Sequence, residues 1–160
     1  MLIGDVMSTS ITVVLPDTPY KELWRAIFRR RVNALPVVDK RKKLIGIITK
    51  EDLLKTLYAD YEELIDDFSS VADFEKMEEK VRELSGFTAK DVMSRRVVYT
   101  RENTPIMRAL SRMIVRRLNQ LPVLSKGDDY VVGMVTKGDV FYALVRRQLT
   151  HSDKTAKKKK

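Results

Sequence analysis

The chain writes Gly-x-x-Thr-Lys-x-Asp twice, at Gly46–Asp52 and again at Gly133–Asp139. Each copy follows an apolar run and precedes another. A hydroxyl and a carboxylate three residues apart share one helical turn. Two kinds of chemistry suit the pair. In the first, Thr49 and Thr136 are helix caps. The hydroxyl accepts from the N–H of the third helical residue, and Asp52 or Asp139 reaches back to the threonine N–H. In the second, the strand, turn and helix start form an anion site, with unpaired N–H groups and the positive end of the helix dipole facing it. The threonine adds a hydroxyl, Lys50 and Lys137 add charge, and the aspartate accepts from two vicinal hydroxyls of a ribose. Each such charge-assisted bond contributes about 1.5–3 kcal/mol. Spacing alone leaves both readings open, and the cap requires no ligand.

Little else in the chain suggests chemistry. With no cysteine there is no disulfide and no thiolate metal site, which fits a reducing, cytoplasmic setting. His151 is the only histidine, so neither a metal centre nor histidine-based catalysis is expected. No nucleophile–base pair is visible, and the chain does not read as an enzyme. Arg29–Arg31 and Arg116–Arg117 sit where helices should end, suiting the dipole there, with phosphate contact as the other reading. Trp24 and Phe28, one turn apart, read as core or dimer contact. No apolar run approaches the length of a membrane span, and MLIGDVMSTS is too short and polar for a signal peptide.

Net charge is +9, unevenly spread. Residues 60–86 hold ten acids and three bases, and the final nine hold five lysines and one aspartate. A basic body around an acidic middle suits anionic partners. The Lys-rich end reads as a disordered, solubilising tail, with weak nucleic-acid or membrane contact as the alternative.

The motif recurs because the whole unit recurs. Asp5-Val-Met-Ser8 returns as Asp91-Val-Met-Ser94, and Thr18-Pro19 as Thr104-Pro105. Leu35-Pro36-Val37 returns as Leu121-Pro122-Val123. The offset is 86, becoming 87 after one inserted residue near Asp128. Each copy predicts strand–helix–strand–strand–helix. The first strands are Ile11–Leu15 and Val97–Thr100. Thr-Pro starts the first helix, with threonine as N-cap. Its inward residues are Leu23, Ile27 and Phe28, or Ala109, Leu110, Met113 and Ile114. Asn33 and Asn119 end it through left-handed geometry. Strands at 35–38 and 44–48, or 121–124 and 130–135, follow. A last helix points Leu53, Leu54 and Leu57, or Val140, Phe141 and Leu144, inward. The second helix extends into a further helix, ended by Gly86. One copy alone is marginal in size, so two are expected to pack their sheets about a pseudo-two-fold. The expected divisions are 1–58, an acidic helical connector at 59–86, 87–149, and a disordered basic tail at 150–160.

The ordered set of motifs, present twice, resembles the cystathionine-β-synthase (CBS) domain. The tandem resembles a Bateman module. The resemblance covers nearly all the chain except the connector and the tail. It implies an α+β fold and adenosine-ligand binding in one or both clefts between the repeats, with AMP, ADP, ATP or S-adenosylmethionine as ligand classes. No cofactor is implied. By position, Asp52 and Asp139 would hold ribose hydroxyls, and Thr49 and Thr136 would meet the phosphate or its equivalent. Ile11, Thr12 and Val13 with Leu35, Pro36 and Val37 would frame one adenine. Val97, Val98 and Tyr99 with Leu121, Pro122 and Val123 would frame the other. The resemblance further implies a homodimer, a regulatory role and signalling to a protein partner in trans. A ligand-free scaffold and a basic nucleic-acid binder are the rival readings. The copies differ beside the aspartate, Glu51 against Gly138, and an acid near phosphate is unfavourable by about 1 kcal/mol at a partly exposed site. The Thr136–Asp139 copy is therefore the better expected nucleotide site.

Overall fold

The computed structural model describes the backbone of residues 1–58 and 71–157; the expected continuation of the second helix through 59–70 lies outside them. After a 3-10 turn at Ile3–Asp5 come α1 (Tyr20–Arg30), β1 (Ala34–Val38), β2 (Leu44–Thr49) and α2 (Lys50–Tyr58). Then follow α3 (Val71–Leu84), α4 (Ala89–Val92), β3 (Thr100–Arg101), α5 (Ile106–Val115), β4 (Gln120–Leu124), β5 (Val131–Thr136) and α6 (Lys137–Lys157). The architecture is α+β. β1 and β2 are antiparallel, with Leu35 opposite Ile48 and Val37 opposite Gly46. β4 and β5 repeat that register, with Leu121 opposite Val135 and Val123 opposite Gly133.

The leading strands are much shorter than the sequence predicts. Ile11–Leu15 supplies a single parallel bridge, Val14 to Val37, and Val97–Thr100 yields only Thr100–Arg101, pairing parallel with β4. Proline is the reason. The Val14 N–H donates to the Pro36 carbonyl at 3.0 Å, and the Val38 N–H donates to the Val14 carbonyl at 2.9 Å. The next rung toward the N-terminus would need an N–H on residue 36, which proline lacks. Pro122 holds the same place beside β3. Among the described residues, the backbone groups of Thr12, Val13, Val97 and Val98 consequently make no backbone–backbone hydrogen bond.

Two compact units form. One joins residues 1–11 to 98–160; the other is 12–97. Leu23, Ile27, Leu35, Val37, Ile48, Leu53, Leu84 and Ala89 pack the core of the second. Ile3, Ala109, Met113, Leu121, Val123, Val135 and Val140 pack the core of the first. The sequence repeats mark the duplication, whereas these units mark the packing, and the two differ by an exchange of leaders. Ser8 bridges Met134 through N–H···O bonds of 2.9 and 3.0 Å; Ser94 bridges Ile47 through bonds of 3.0 and 2.9 Å. Met7 lies on Gly133 and Met93 on Gly46. A Cβ on Gly46 would collide with the Met93 sulfur, and one on Gly133 would come within 2.7 Å of the Met7 sulfur and 2.8 Å of the Ser8 carbonyl.

Local expectations needed several corrections. Pro19 and Pro105, not Thr18 and Thr104, occupy the N-cap positions of α1 and α5. The threonine hydroxyls instead accept from Leu15 and Arg101 N–H groups three residues back, closing the preceding turn. The positive-φ residues that end α1 and follow α5 are Arg31 and Arg117, not the asparagines. The Asn33 and Asn119 carbonyls accept from Lys50 and Lys137 N–H groups instead. Phe28, Ile114 and Phe141 are exposed rather than inward. The expected disordered tail is helical through Lys157, as α6 contains no glycine or proline after Gly138 to stop it.

Thr100 breaks the duplication inside a core. It is buried at the position of Val14, and its hydroxyl has no hydrogen-bond partner among the described residues. An unsatisfied buried hydroxyl costs about 1–3 kcal/mol. Thr100→Val, which copies the first repeat, should therefore raise stability by about 1 kcal/mol in chemical denaturation; a loss would mean that the hydroxyl is engaged. The glycines give a second expectation. Gly133→Ala forces main chain apart at Ser8 and should cost about 1–3 kcal/mol, whereas the nearest atoms to a Cβ at Gly46 belong to the Met93 side chain, so Gly46→Ala should cost less. Equal losses would contradict that distinction.

Candidate functional site

Both Thr-x-x-Asp pairs form complete capping boxes. The Thr49 N–H donates to Asp52 Oδ2 at 2.7 Å, the Thr49 hydroxyl donates to the same oxygen at 2.7 Å, and the Asp52 N–H donates to Thr49 Oγ1 at 3.1 Å. Thr136 and Asp139 reproduce this at 2.8, 2.8 and 3.0 Å. The cap reading of the motif is therefore correct as far as it goes. Each carboxylate, however, spends only Oδ2. Among the described residues Oδ1 of neither aspartate accepts a hydrogen bond, and both residues are only half-buried. A carboxylate oxygen has two lone pairs, so a rigidly oriented acceptor remains at each helix start.

In the 12–97 unit the structure collects Thr12, Val13, Leu35, Pro36, Val37, Thr49, Lys50 and Asp52; in the other it collects Val98, Tyr99, Leu121, Pro122, Val123, Thr136, Lys137 and Asp139. Ile11 and Val97 fall in the unit opposite to their repeat. Leu35, Val37, Leu121 and Val123 are fully buried core residues, so their side chains are spent on packing. Pro36 and Pro122 alternate to the other strand face and are buried as well. The ladders leave main-chain groups of Thr12, Val13 and Val98 without a backbone partner among the described residues.

Cations attend these segments in ways the sequence did not reveal. Arg30 donates to the Thr12 hydroxyl at 3.2 Å, and Arg112 donates to the Tyr99 carbonyl. Arg101 lies 5.7 Å from the Tyr99 ring centroid. The Lys50 ammonium lies 5.3 Å from the Phe28 ring centroid, and Phe28 stacks on Trp24 at 4.5 Å. Trp24 packs against the core, as one sequence reading had it. Thr88–Asp91 forms a third box, where the bonds from Thr88 to the carboxylate hold the exposed Asp91 below its ordinary pKa. Burial pushes the Tyr20 phenol up, and its O–H donates to the Leu53 carbonyl at 3.2 Å. Among the described residues no group of His, Cys, Asp or Glu could hold a metal ion, and no helix is long and apolar enough to cross a membrane.

Comparison with known proteins follows the same outline. The family model described as CBS domain matches residues 3–59 and 89–146. Over 156 residues the chain is 30% identical to protein MJ1426 of Methanocaldococcus jannaschii, covering 91% of this chain and 92% of that one. A crystal structure of CBSX2 in complex with AMP is 23% identical, with a TM-score of 0.71 and coverage of 92% and 98%. The CBS domain pair of protein MJ0100, in complex with 5′-methylthioadenosine and S-adenosyl-L-methionine, is 22% identical, with a TM-score of 0.68 and coverage of 92% and 98%. At such identities these structures speak for the fold. Both repeats match the family model, and a relative aligns over almost its whole length: the chain belongs to the CBS domain family, as a tandem pair forming a Bateman module.

Proposed function

We propose that the protein is a regulatory module that binds an adenine nucleotide or adenosyl compound at one or both Thr-x-x-Asp helix starts. The observation that carries this reading is the open Oδ1 of Asp52 and Asp139, held in place by a cap that occupies the other oxygen. A ribose hydroxyl is a fitting donor to it. Main-chain groups of Thr12 and Val13, or of Val98, stand outside any ladder and match the edge of a flat base. AMP in CBSX2, and 5′-methylthioadenosine with S-adenosylmethionine in MJ0100, lend support through shared fold. In this reading the protein acts in the cytoplasm as a homodimer, catalyses nothing itself, and passes ligand occupancy to a protein partner. A ligand shifts such a module only by its differential affinity for two arrangements. The completeness of the caps favours one rival, a ligand-free scaffold.

Two features favour the Thr136–Asp139 start for a phosphorylated ligand. Gly138 stands where the first repeat has Glu51, and the first repeat's Lys50 is drawn over Phe28. Titration calorimetry with AMP should show Asp139→Ala losing about 2 kcal/mol, roughly thirtyfold in affinity, and Asp52→Ala losing less. The reverse order would reject the assignment. Saturating AMP, ATP or S-adenosylmethionine at about 100 times the dissociation constant should stabilise the protein by about 2.7 kcal/mol, and no thermal shift with any of them would favour the scaffold. Each alanine substitution should also cost about 1 kcal/mol of unliganded stability through the lost cap.

A further inference from the structure

The duplication is broken at one end of one sheet. The turn joining β1 to β2 reads Asp39-Lys-Arg-Lys-Lys43, four cations to one acid. The turn joining β4 to β5 reads Ser125-Lys-Gly-Asp-Asp129, one cation to two acids. A second difference falls beside the first. Arg95 and Arg96 follow the Ser94 bridge, whereas Thr9 and Ser10 follow the matching Ser8 bridge. Ser94 pairs antiparallel with Ile47, so the chain leaves that bridge toward the Leu44 end of β2, the end that carries the basic turn. Both cationic segments belong to the 12–97 unit, because the leaders are exchanged. Two separate sequence changes therefore direct six cations to one sheet end.

Local geometry leaves these charges uncompensated. Asp39 is turned onto its own main chain, where Oδ1 accepts from the Arg41 N–H at 2.8 Å and the Lys43 N–H at 2.9 Å. The Lys42 N–H donates to the Asp39 carbonyl at 2.9 Å and closes the turn. Lys40, Arg41, Lys42, Arg95 and Arg96 are exposed, and Lys43 is half-buried. Among the described residues none of the six side chains makes an ion pair. The other unit consumes its charge internally. Arg101 pairs with Asp129 at 2.8 Å and donates to the Ser125 and Asp128 carbonyls. The basic turn also stands apart from the Thr49–Asp52 helix start, at the opposite end of β2, roughly 17 Å along the strand.

We propose that this sheet end binds double-stranded DNA through its phosphate backbone. A duplex presents phosphates at regular intervals to cations on separate segments, arginine takes them bidentately, and released counterions supply the driving force. Single strands are held by aromatic stacking, and neither 39–43 nor 94–97 contains an aromatic residue. Membrane surfaces hold basic segments beside apolar anchors, which the turn lacks. Among the described residues the main chain of 39–43 bonds only within the hairpin, so the turn stands clear of the flanking leaders. The major groove of B-form DNA is about 12 Å wide and admits a two-stranded ribbon, whereas that of A-form RNA is deep and narrow. The contact is independent of base sequence, and it does not rest on the nucleotide reading above.

Fluorescence anisotropy of a short labelled DNA duplex with the full chain, across a salt series, tests this. Binding should weaken as salt rises. Lys40→Gln, Arg41→Gln and Lys42→Gln together should weaken it tenfold or more at low salt. They should also flatten the slope of log affinity against log salt by up to about 2.7, for three lost phosphate contacts. Arg95→Gln with Arg96→Gln, on the separate segment, should weaken binding as well, and carries the test if the turn variant fails to fold. Glutamine at all of Lys157–Lys160 should cost less than either. No binding at low salt, undiminished binding by both variants, or a loss confined to the tail variant overturns the proposal. Tighter binding of a single strand or of an RNA duplex of the same sequence, or binding to phosphatidylserine vesicles alone, overturns the choice of partner.

Discussion

Close approach of a leader segment to a strand at two glycines is the constraint on which the structure depends. Gly46 and Gly133 lie mid-strand in β2 and β5, and the Asp-Val-Met-Ser leaders bridge to the strand beside them. A side chain there would meet methionine or the serine carbonyl. Because each leader closes the sheet of the opposite repeat, the polypeptide passes from one unit to the other after Ile11 and again after Val97. Neither repeat is complete on its own. The crossing points are also where the proline-truncated ladders leave backbone groups unpaired. One packing requirement therefore leaves open main chain and a capped aspartate within the same unit, once in each.

Capping and binding are often weighed as alternatives for a Thr-x-x-Asp motif. The carboxylate geometry reconciles them, since one oxygen accepts two bonds within the box and the other accepts none among the described residues. The cap lowers the entropy that a ligand contact would otherwise have to overcome, because the acceptor is already oriented. A structural role is then a precondition of a binding role.

Much of this was legible in the sequence. The 86-residue offset, the paired strands around Leu35–Val38 and Leu121–Leu124, and the capping boxes all follow from local pattern. The leader exchange was not legible: Asp5–Ser8 and Asp91–Ser94 are identical tetrapeptides, and nothing in them says which sheet each will cover. The truncated leading strands could have been anticipated, because Pro36 and Pro122 remove a donor from the neighbouring ladder. The pattern of the proline's own strand does not show this effect on its neighbour. The left-handed residues fell on Arg31 and Arg117, where the tertiary path overrides the preference for asparagine. Phe28 and Ile114 obeyed helical spacing yet lie outside the buried stripe, since periodicity fixes a face only to within one neighbouring position.

The most direct test of the central claim is a crystal structure of the chain with AMP bound. The account predicts a ribose hydroxyl on Oδ1 of Asp139 while the Thr136 N–H stays on Oδ2, with the adenine edge against backbone near Val98. A nucleotide bound elsewhere, or an aspartate that must leave its cap to reach the sugar, would contradict it.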